Sequence, residues 1–158
     1  MRATTEAIYQ RDVDTKFGTL CLTEQTGALI RLDWGASGRQ DRTALLDTCT
    51  AQLAAYEAGE LETFDLPTRI VGSKLQRAVC RAMQAIPFGL TRTYGEIARE
   101  VGASAQAVGQ ACGGNPIPII IPCHRVMGAK GLTGFSAPGG IEMKVALLRH
   151  EGAGGLLI

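Results

Sequence analysis

Residues 93–114 read Thr-Tyr-Gly-Glu-Ile-Ala-Arg-Glu-Val-Gly-Ala-Ser-Ala-Gln-Ala-Val-Gly-Gln-Ala-Cys-Gly-Gly and hold two helix starts and two helix stops. Thr93 and Glu96 have the spacing of a capping box, in which the hydroxyl accepts from the N–H of Glu96 and the carboxylate reaches back. Tyr94, Ile97, Ala98 and Val101 then share one face, and Gly102 stops the helix. Ser104 is placed to cap a second helix that Gly113-Gly114 end. Two short helices across a glycine-containing turn form either a helix-turn-helix or an ordinary helical hairpin, and the pattern alone does not separate them.

The second helix, 105–112, carries no Lys or Arg. Ala105, Ala107, Gly109 and Ala111 are small and stand beside Gln106 and Gln110. Readers of the major groove place long polar side chains against base edges, whereas small residues let a backbone lie close to a shallow groove whose pattern is degenerate. On DNA, this helix is expected to bind with little sequence preference.

Upstream, Leu75, Val79, Met83 and Ile86 recur at helical spacing until Pro87-Phe88-Gly89 stops them. Further back the texture changes: 17–22 and 28–34 read as short strands around a Thr26–Gly27 turn, and 43–58 as an amphipathic helix ending at Gly59. This half contains no histidine. The expected organisation is a small α/β structural domain over residues 1–68 and a mostly helical domain over 73–158. Residues 1–72 hold 7 Lys+Arg against 11 Asp+Glu, and residues 73–158 hold 9 against 4. A polyanionic partner would therefore meet the second half.

Downstream lies Asn115-Pro116-Ile117-Pro118-Ile119-Ile120-Ile121-Pro122-Cys123-His124-Arg125-Val126. Its apolar stretch reads as a buried strand in which Pro116, Pro118 and Pro122 fix backbone angles, holding Cys123 rigidly near the strand end. A neighbouring imidazole or guanidinium favours a thiolate, so Cys123 is the candidate nucleophile. The other cysteines, Cys21, Cys49, Cys80 and Cys112, read as buried and inert. Residues 139–152 read as a helix with Ile141, Val145 and Leu148 facing the core and Gly152 as its stop. Glu151 then falls in the last turn, where an acid opposes the helix dipole at about 0.3–1 kcal/mol. It is either a solvated terminal residue or an acid that orients an imidazole. His150 reads as a surface or packing residue.

The 158 residues, 46% hydrophobic and 20% charged, suit one globular domain or two small ones. The longest apolar run, 117–121, falls far short of the ~18 residues a membrane span needs, and residues 1–14 hold no apolar block of a signal peptide. A cytoplasmic protein is expected. Five cysteines form no C-x-x-C pair, which argues against a disulfide framework and a metal site.

Taken in order, Thr93 to Ala98, Ala107 to Ala111, Asn115-Pro116, Pro122 to Val126, Gly134-Phe135-Ser136 and Lys144 to Glu151 resemble the O6-alkylguanine-DNA alkyltransferases. The resemblance covers residues 73–152. It implies a ribonuclease-H-like amino-terminal unit and a carboxy-terminal domain with a winged-helix-like helix-turn-helix. It also implies DNA repair by irreversible, single-turnover transfer of an alkyl group from O6 of guanine to the protein's own cysteine. The partner would be double-stranded DNA carrying O6-alkylguanine, met in the minor groove by a monomer, with no cofactor and no metal.

Carried over by position, Cys123 is the nucleophile, His124 relays its proton through water and Glu151 orients His124. Asn115 holds the active-site turn, and Tyr94 protonates or hydrogen-bonds guanine N3. Ser136 donates to O6, while Phe135, Pro118 and the Val126 backbone line the pocket. Gln106, Ala105, Ala107, Gly109, Tyr94 and Arg125 face the DNA. The sequence departs from the family pattern at Gln106, where the family usually has an intercalating arginine, and at Gly113, where it often has a basic residue. Glutamine lacks the cation and the planar guanidinium.

Two other readings compete. One is a non-catalytic module that recognises an alkylated base, which a thioether on Cys123 would exclude. The other is a cysteine-dependent hydrolase or thiol redox enzyme with a Cys123–His124–Glu151 triad, which multiple turnover on a small ester or peroxide would favour.

Overall fold

The structure is a computed structural model that describes residues 7–129 and 140–153. The chain divides into two compact units, Met1–Arg69 and Ile70–Ile158. Ser136 and Phe135 lie outside the described residues.

In the first unit, β1 (Ile8–Thr15), β2 (Gly18–Gln25) and β3 (Ala28–Trp34) form an antiparallel sheet in the order β1-β2-β3. Thr26 and Gly27 both have positive φ, 51° and 71°, which gives their two-residue hairpin the twist that flanking strands require. The central strand buries Leu20, Cys21, Leu22, Thr23 and Glu24. Helix α1 (Ala44–Glu57) is capped by Thr43 and buries Leu46, Cys49, Leu53 and Tyr56. The strand β1 has no counterpart in the sequence reading. It is an edge strand in which Gln10, Arg11, Asp12 and Asp14 interrupt the apolar alternation, a polarity that edges tolerate.

In the second unit, α2 (Lys74–Gln84) starts on Ser73, whose hydroxyl accepts from Gln76 N, and buries Val79, Cys80, Ala82 and Met83. A two-residue strand, β4 (Arg92–Thr93), leads directly into α3 (Tyr94–Val101). Both halves of the Thr93–Glu96 capping box are present, and Gly102 closes α3 in the left-handed conformation at φ 75°. Ser104 caps α4 (Ala105–Gly113), which buries Val108, Ala111 and Cys112. Helix α4 packs against both α3 and α2.

Beyond α4, Ile117, Ile119, Ile120 and Ile121 are all buried but form no strand. The chain turns instead: Ile121 N donates to the Ile117 carbonyl at 2.8 Å and Ile120 N to that of Pro118 at 2.9 Å. Three prolines in seven residues remove the donors a ladder would need, so burial here comes from a knot of turns rather than a sheet. Ile119 sits at φ 71°, a conformation that costs a β-branched residue about 1–3 kcal/mol and persists only where its surroundings enforce it.

A 3-10 turn, Cys123–Arg125, follows, then β5 (Val126–Met127), which pairs in parallel with β4. Helix α5 (Ile141–His150) completes the unit. Its buried face is Lys144, Leu147 and Leu148, continued by Glu151, rather than Ile141, Val145 and Leu148; Ile141 is exposed and Val145 only half-buried. Burying a lysine and a glutamate rotates the helix relative to what an apolar count suggests. No helix among the described residues is long and apolar enough to cross a membrane.

Candidate active site

The parallel pairing of Arg92 with Val126 and Thr93 with Met127 places the start of α3 beside the turn that carries Cys123, His124 and Arg125. Those three side chains are buried. Asn115, two residues beyond α4, spans the knot of isoleucines: its Oδ1 accepts from Ile117 N at 3.0 Å and its Nδ2 donates to the Ile121 carbonyl at 2.8 Å. Cys123 N in turn donates to that carbonyl at 2.8 Å. Two consecutive turns thus hang on one amide side chain. Asn115→Ala should destabilise the protein by about 1–3 kcal/mol, the cost of orphaning backbone groups. Denaturant unfolding reads that loss, and an unchanged midpoint would show that the turn holds itself.

Burial pushes the Cys123 thiol up to about 11, opposed by the Asn115 amide and by the Lys144 ammonium. About one thiol in ten thousand would then be ionised at neutral pH, so Cys123 rests as a thiol, and its sulfur can act as a nucleophile only once that proton is removed. Neither His124 nor Arg125 is among the main influences on it, contrary to what their adjacency in sequence suggests. Both are engaged elsewhere. His124 Nε2 lies 2.7 Å from Glu151 Oε2, and neither side chain reaches solvent. An ionised carboxylate only accepts, so the shared proton belongs to Nε2 and the neutral ring keeps Nδ1 as an acceptor. Nδ1 is buried and has no hydrogen-bond partner among the described residues. Burial lowers the His124 pKa; Glu151 raises it, and the charges of Arg125 and Lys144 lower it again. The imidazole is therefore neutral at physiological pH, with an unused basic nitrogen.

Arg125 corrects the sequence reading. Expected on the DNA, it is 5% exposed and its guanidinium is spent inside the protein. Nε donates to Glu151 Oε1 at 2.8 Å, Nη2 to Oε2 at 3.0 Å and Nη1 to the Ile86 carbonyl at 2.6 Å. Glu151 is likewise no solvated helix end; it is the buried acceptor for His124 and Arg125, the two residues that follow Cys123.

Lys144 carried no individual role in the sequence reading. It is fully buried, donates to the Val126 carbonyl at 2.6 Å and lies 6.0 Å from the centroid of the Tyr94 ring. Burial lowers its pKa, while Cys123 and Cys112 raise it. The available signal was its spacing: Lys144, Leu147, Leu148 and Glu151 stand at i, i+3, i+4 and i+7 and define the true buried stripe.

Among the remaining assigned residues, Tyr94 is half-buried at the first position of α3, and Pro118 and Val126 are buried. Ala105 and Gln106 are exposed at the start of α4, with Ala107 and Gly109 half-buried. No cluster of side chains suited to a metal occurs among the described residues.

The family profile described as 6-O-methylguanine DNA methyltransferase, DNA binding domain, matches residues 74–153. A methylated-DNA--protein-cysteine methyltransferase of Mycolicibacterium paratuberculosis is 44% identical over 154 residues, covering 91% of this chain and 92% of the relative. One from Methanosarcina acetivorans is 50% identical over 105 residues, 65% of this chain and 66% of the relative. The crystal structure of Mycobacterium tuberculosis O6-methylguanine methyltransferase superposes with a TM-score of 0.82 at 39% identity, covering 96% of this chain and 97% of that one. That of Mycobacterium tuberculosis OGT in complex with DNA gives 0.82 at 41% identity, covering 91% and 92%.

Proposed function

Since the chain belongs to the methylated-DNA–protein-cysteine methyltransferase family, we propose that Cys123 is the acceptor through which it repairs DNA by removing alkyl groups from O6 of guanine. The observation that carries this assignment is the buried set of Cys123, His124 and Glu151, in which the imidazole is oriented by a carboxylate and keeps one nitrogen free to take a proton.

The flipped base enters a pocket lined by Pro118, Val126 and Phe135. The Cys123 proton passes through a water molecule to His124 Nδ1, and Glu151 stabilises the imidazolium that forms. The thiolate attacks the alkyl carbon, the carbon–O6 bond breaks, and its electron pair moves into the guanine ring. Tyr94 delivers a proton at N3 and Ser136 donates to O6 as charge develops there. The imidazolium returns its proton to the tyrosinate through solvent, so the balance is thiol plus alkylguanine giving thioether plus guanine. A thioether offers water no leaving group that a general base could help to displace, so the protein is consumed in one turnover. Excess DNA containing O6-methylguanine should therefore add one methyl group to the intact protein, mapped to Cys123. Continued turnover, or a methyl group elsewhere, would refute the assignment.

In this reading α3 and α4 act as a helix-turn-helix of a winged-helix-like domain, and the amino-terminal unit is ribonuclease-H-like. The monomer acts in the cytoplasm and meets the minor groove through the small residues of α4, with little sequence preference. Gln106, exposed at the second position of α4, takes the intercalating position. Extruding a base costs a few kcal/mol of stacking, part of which an inserted side chain recovers. Arginine would add a stacking plane and a cation. Gln106→Arg should speed repair of duplex DNA about tenfold and tighten binding at low salt, while the rate with free O6-benzylguanine stays unchanged. Equal effects on both substrates would remove α4 from the base stack.

A further inference from the structure

We propose that Arg125 is a positioning residue of the transfer reaction, a guanidinium clamp that fixes the Glu151 carboxylate against His124 and keeps the imidazole in its proton-accepting form. This rests on the reading of Cys123 as the alkyl acceptor.

The geometry separates the two oxygens of Glu151. Oε1 receives Arg125 Nε at 2.8 Å; Oε2 receives Nη2 at 3.0 Å and faces His124 Nε2 at 2.7 Å. A two-pronged contact of this kind sets the plane of the carboxylate as well as its position. The fork is itself anchored: Nη1 donates to the Ile86 carbonyl just beyond α2, and the guanidinium lies 5.8 Å from the Phe88 ring centroid. A side chain held at four points has no freedom to reach a phosphate.

The charge of the clamp matters as much as its shape. The charged groups acting on the imidazole are Glu151, which caps the end of α5, Lys144 from α5 and Arg125 from its own turn; Cys80 from α2 acts on the neighbouring Cys123. Without Arg125, the buried Glu151 would face His124 with its charge uncompensated, and the pair would bind a proton at higher pH. A proton already on that pair at neutral pH leaves His124 unable to accept one from Cys123. Arg125 thus lowers the proton affinity of the resting site while leaving the carboxylate in place to stabilise the imidazolium formed in the reaction.

The test measures alkylation of Cys123 across pH by free O6-benzylguanine and by a duplex containing O6-methylguanine, for wild type, Arg125→Lys, Arg125→Met and the double variant Arg125→Met with Glu151→Gln. Arg125→Met should slow both substrates by the same factor, about tenfold at neutral pH, and move the acid limb of the pH–rate profile up by about one unit, with the duplex Kd unchanged. Arg125→Lys, which keeps the charge but loses the fork, should fold, slow both substrates several-fold and move the acid limb less. The double variant should reverse the upward shift without recovering the rate.

A loss of duplex affinity with unaltered free-base alkylation would put Arg125 on the DNA and overturn the proposal. So would lowered stability with an unaltered pH–rate profile, or an Arg125→Lys variant that matches wild type throughout. The wild-type adduct separates the two readings: benzylation elsewhere than Cys123 overturns the acceptor and the clamp together, whereas benzylation at Cys123 with unaffected Arg125 variants overturns the clamp alone.

Discussion

Cys123→Ser should fold, bind DNA carrying O6-methylguanine and transfer nothing. The substitution keeps the shape of the site, and the turn is held by backbone and Asn115 contacts that do not pass through the sulfur. The chemistry fails for a quantitative reason. Cys123 is already disfavoured as an anion, pushed to about 11 by burial, and in the proposed mechanism it depends on His124 to take its proton and on the intrinsic nucleophilicity of sulfur. An alcohol in the same cavity is harder to ionise and less nucleophilic. The rate should fall by roughly three orders of magnitude or more, on the scale of losses seen when an enzyme's nucleophile is removed. Intact mass after incubation with excess alkylated duplex should show no added methyl group, and the lesion-containing duplex should remain bound. Detectable methylation of the variant would mean that a second residue accepts the group.

Glu151→Gln should injure stability and catalysis together, because one carboxylate serves both. Glu151 is 4% exposed and receives two donors from Arg125 and one from His124. An amide of the same size turns one acceptor into a donor aimed at donors, and it strands the Arg125 charge in the interior. Breaking a buried pair in this way costs about 3–5 kcal/mol. For a chain of this length that lowers Tm by roughly 10 °C or more. In the surviving folded protein the imidazolium loses its counter-charge. The His124 pKa, already lowered by burial, falls further, and the acid limb of the pH–rate profile moves down while the rate at neutral pH drops roughly 10–100-fold. The direction is opposite to that expected for Arg125→Met. An unchanged Tm with an unchanged profile would return Glu151 to the role of a helix terminus.

What the sequence determined by itself was set by contacts spanning three or four residues. Thr43, Ser73, Thr93 and Ser104 each accept from the N–H three positions on, so the starts of α1 to α4 were legible without knowledge of anything distant. The Thr26–Gly27 hairpin is of the same kind.

Tertiary structure decided the rest. The edge strand β1 is held by pairing to β2 rather than by its own alternation, and so left no local signal. The isoleucines of 117–121 have a composition that suits a strand, yet their backbone bonds go to each other and to Asn115. Above all, the electrostatics of the site depend on how α5 docks. Arg125 and Glu151 are separated by 26 residues, and His124 and Glu151 by 27, so nothing local distinguishes a buried ion cluster from solvated charges. In water, such pairs are screened and worth little; only when α5 buries Lys144 and Glu151 beside the turn of Cys123 do weak long-range charges become strong enough to set which nitrogen accepts a proton.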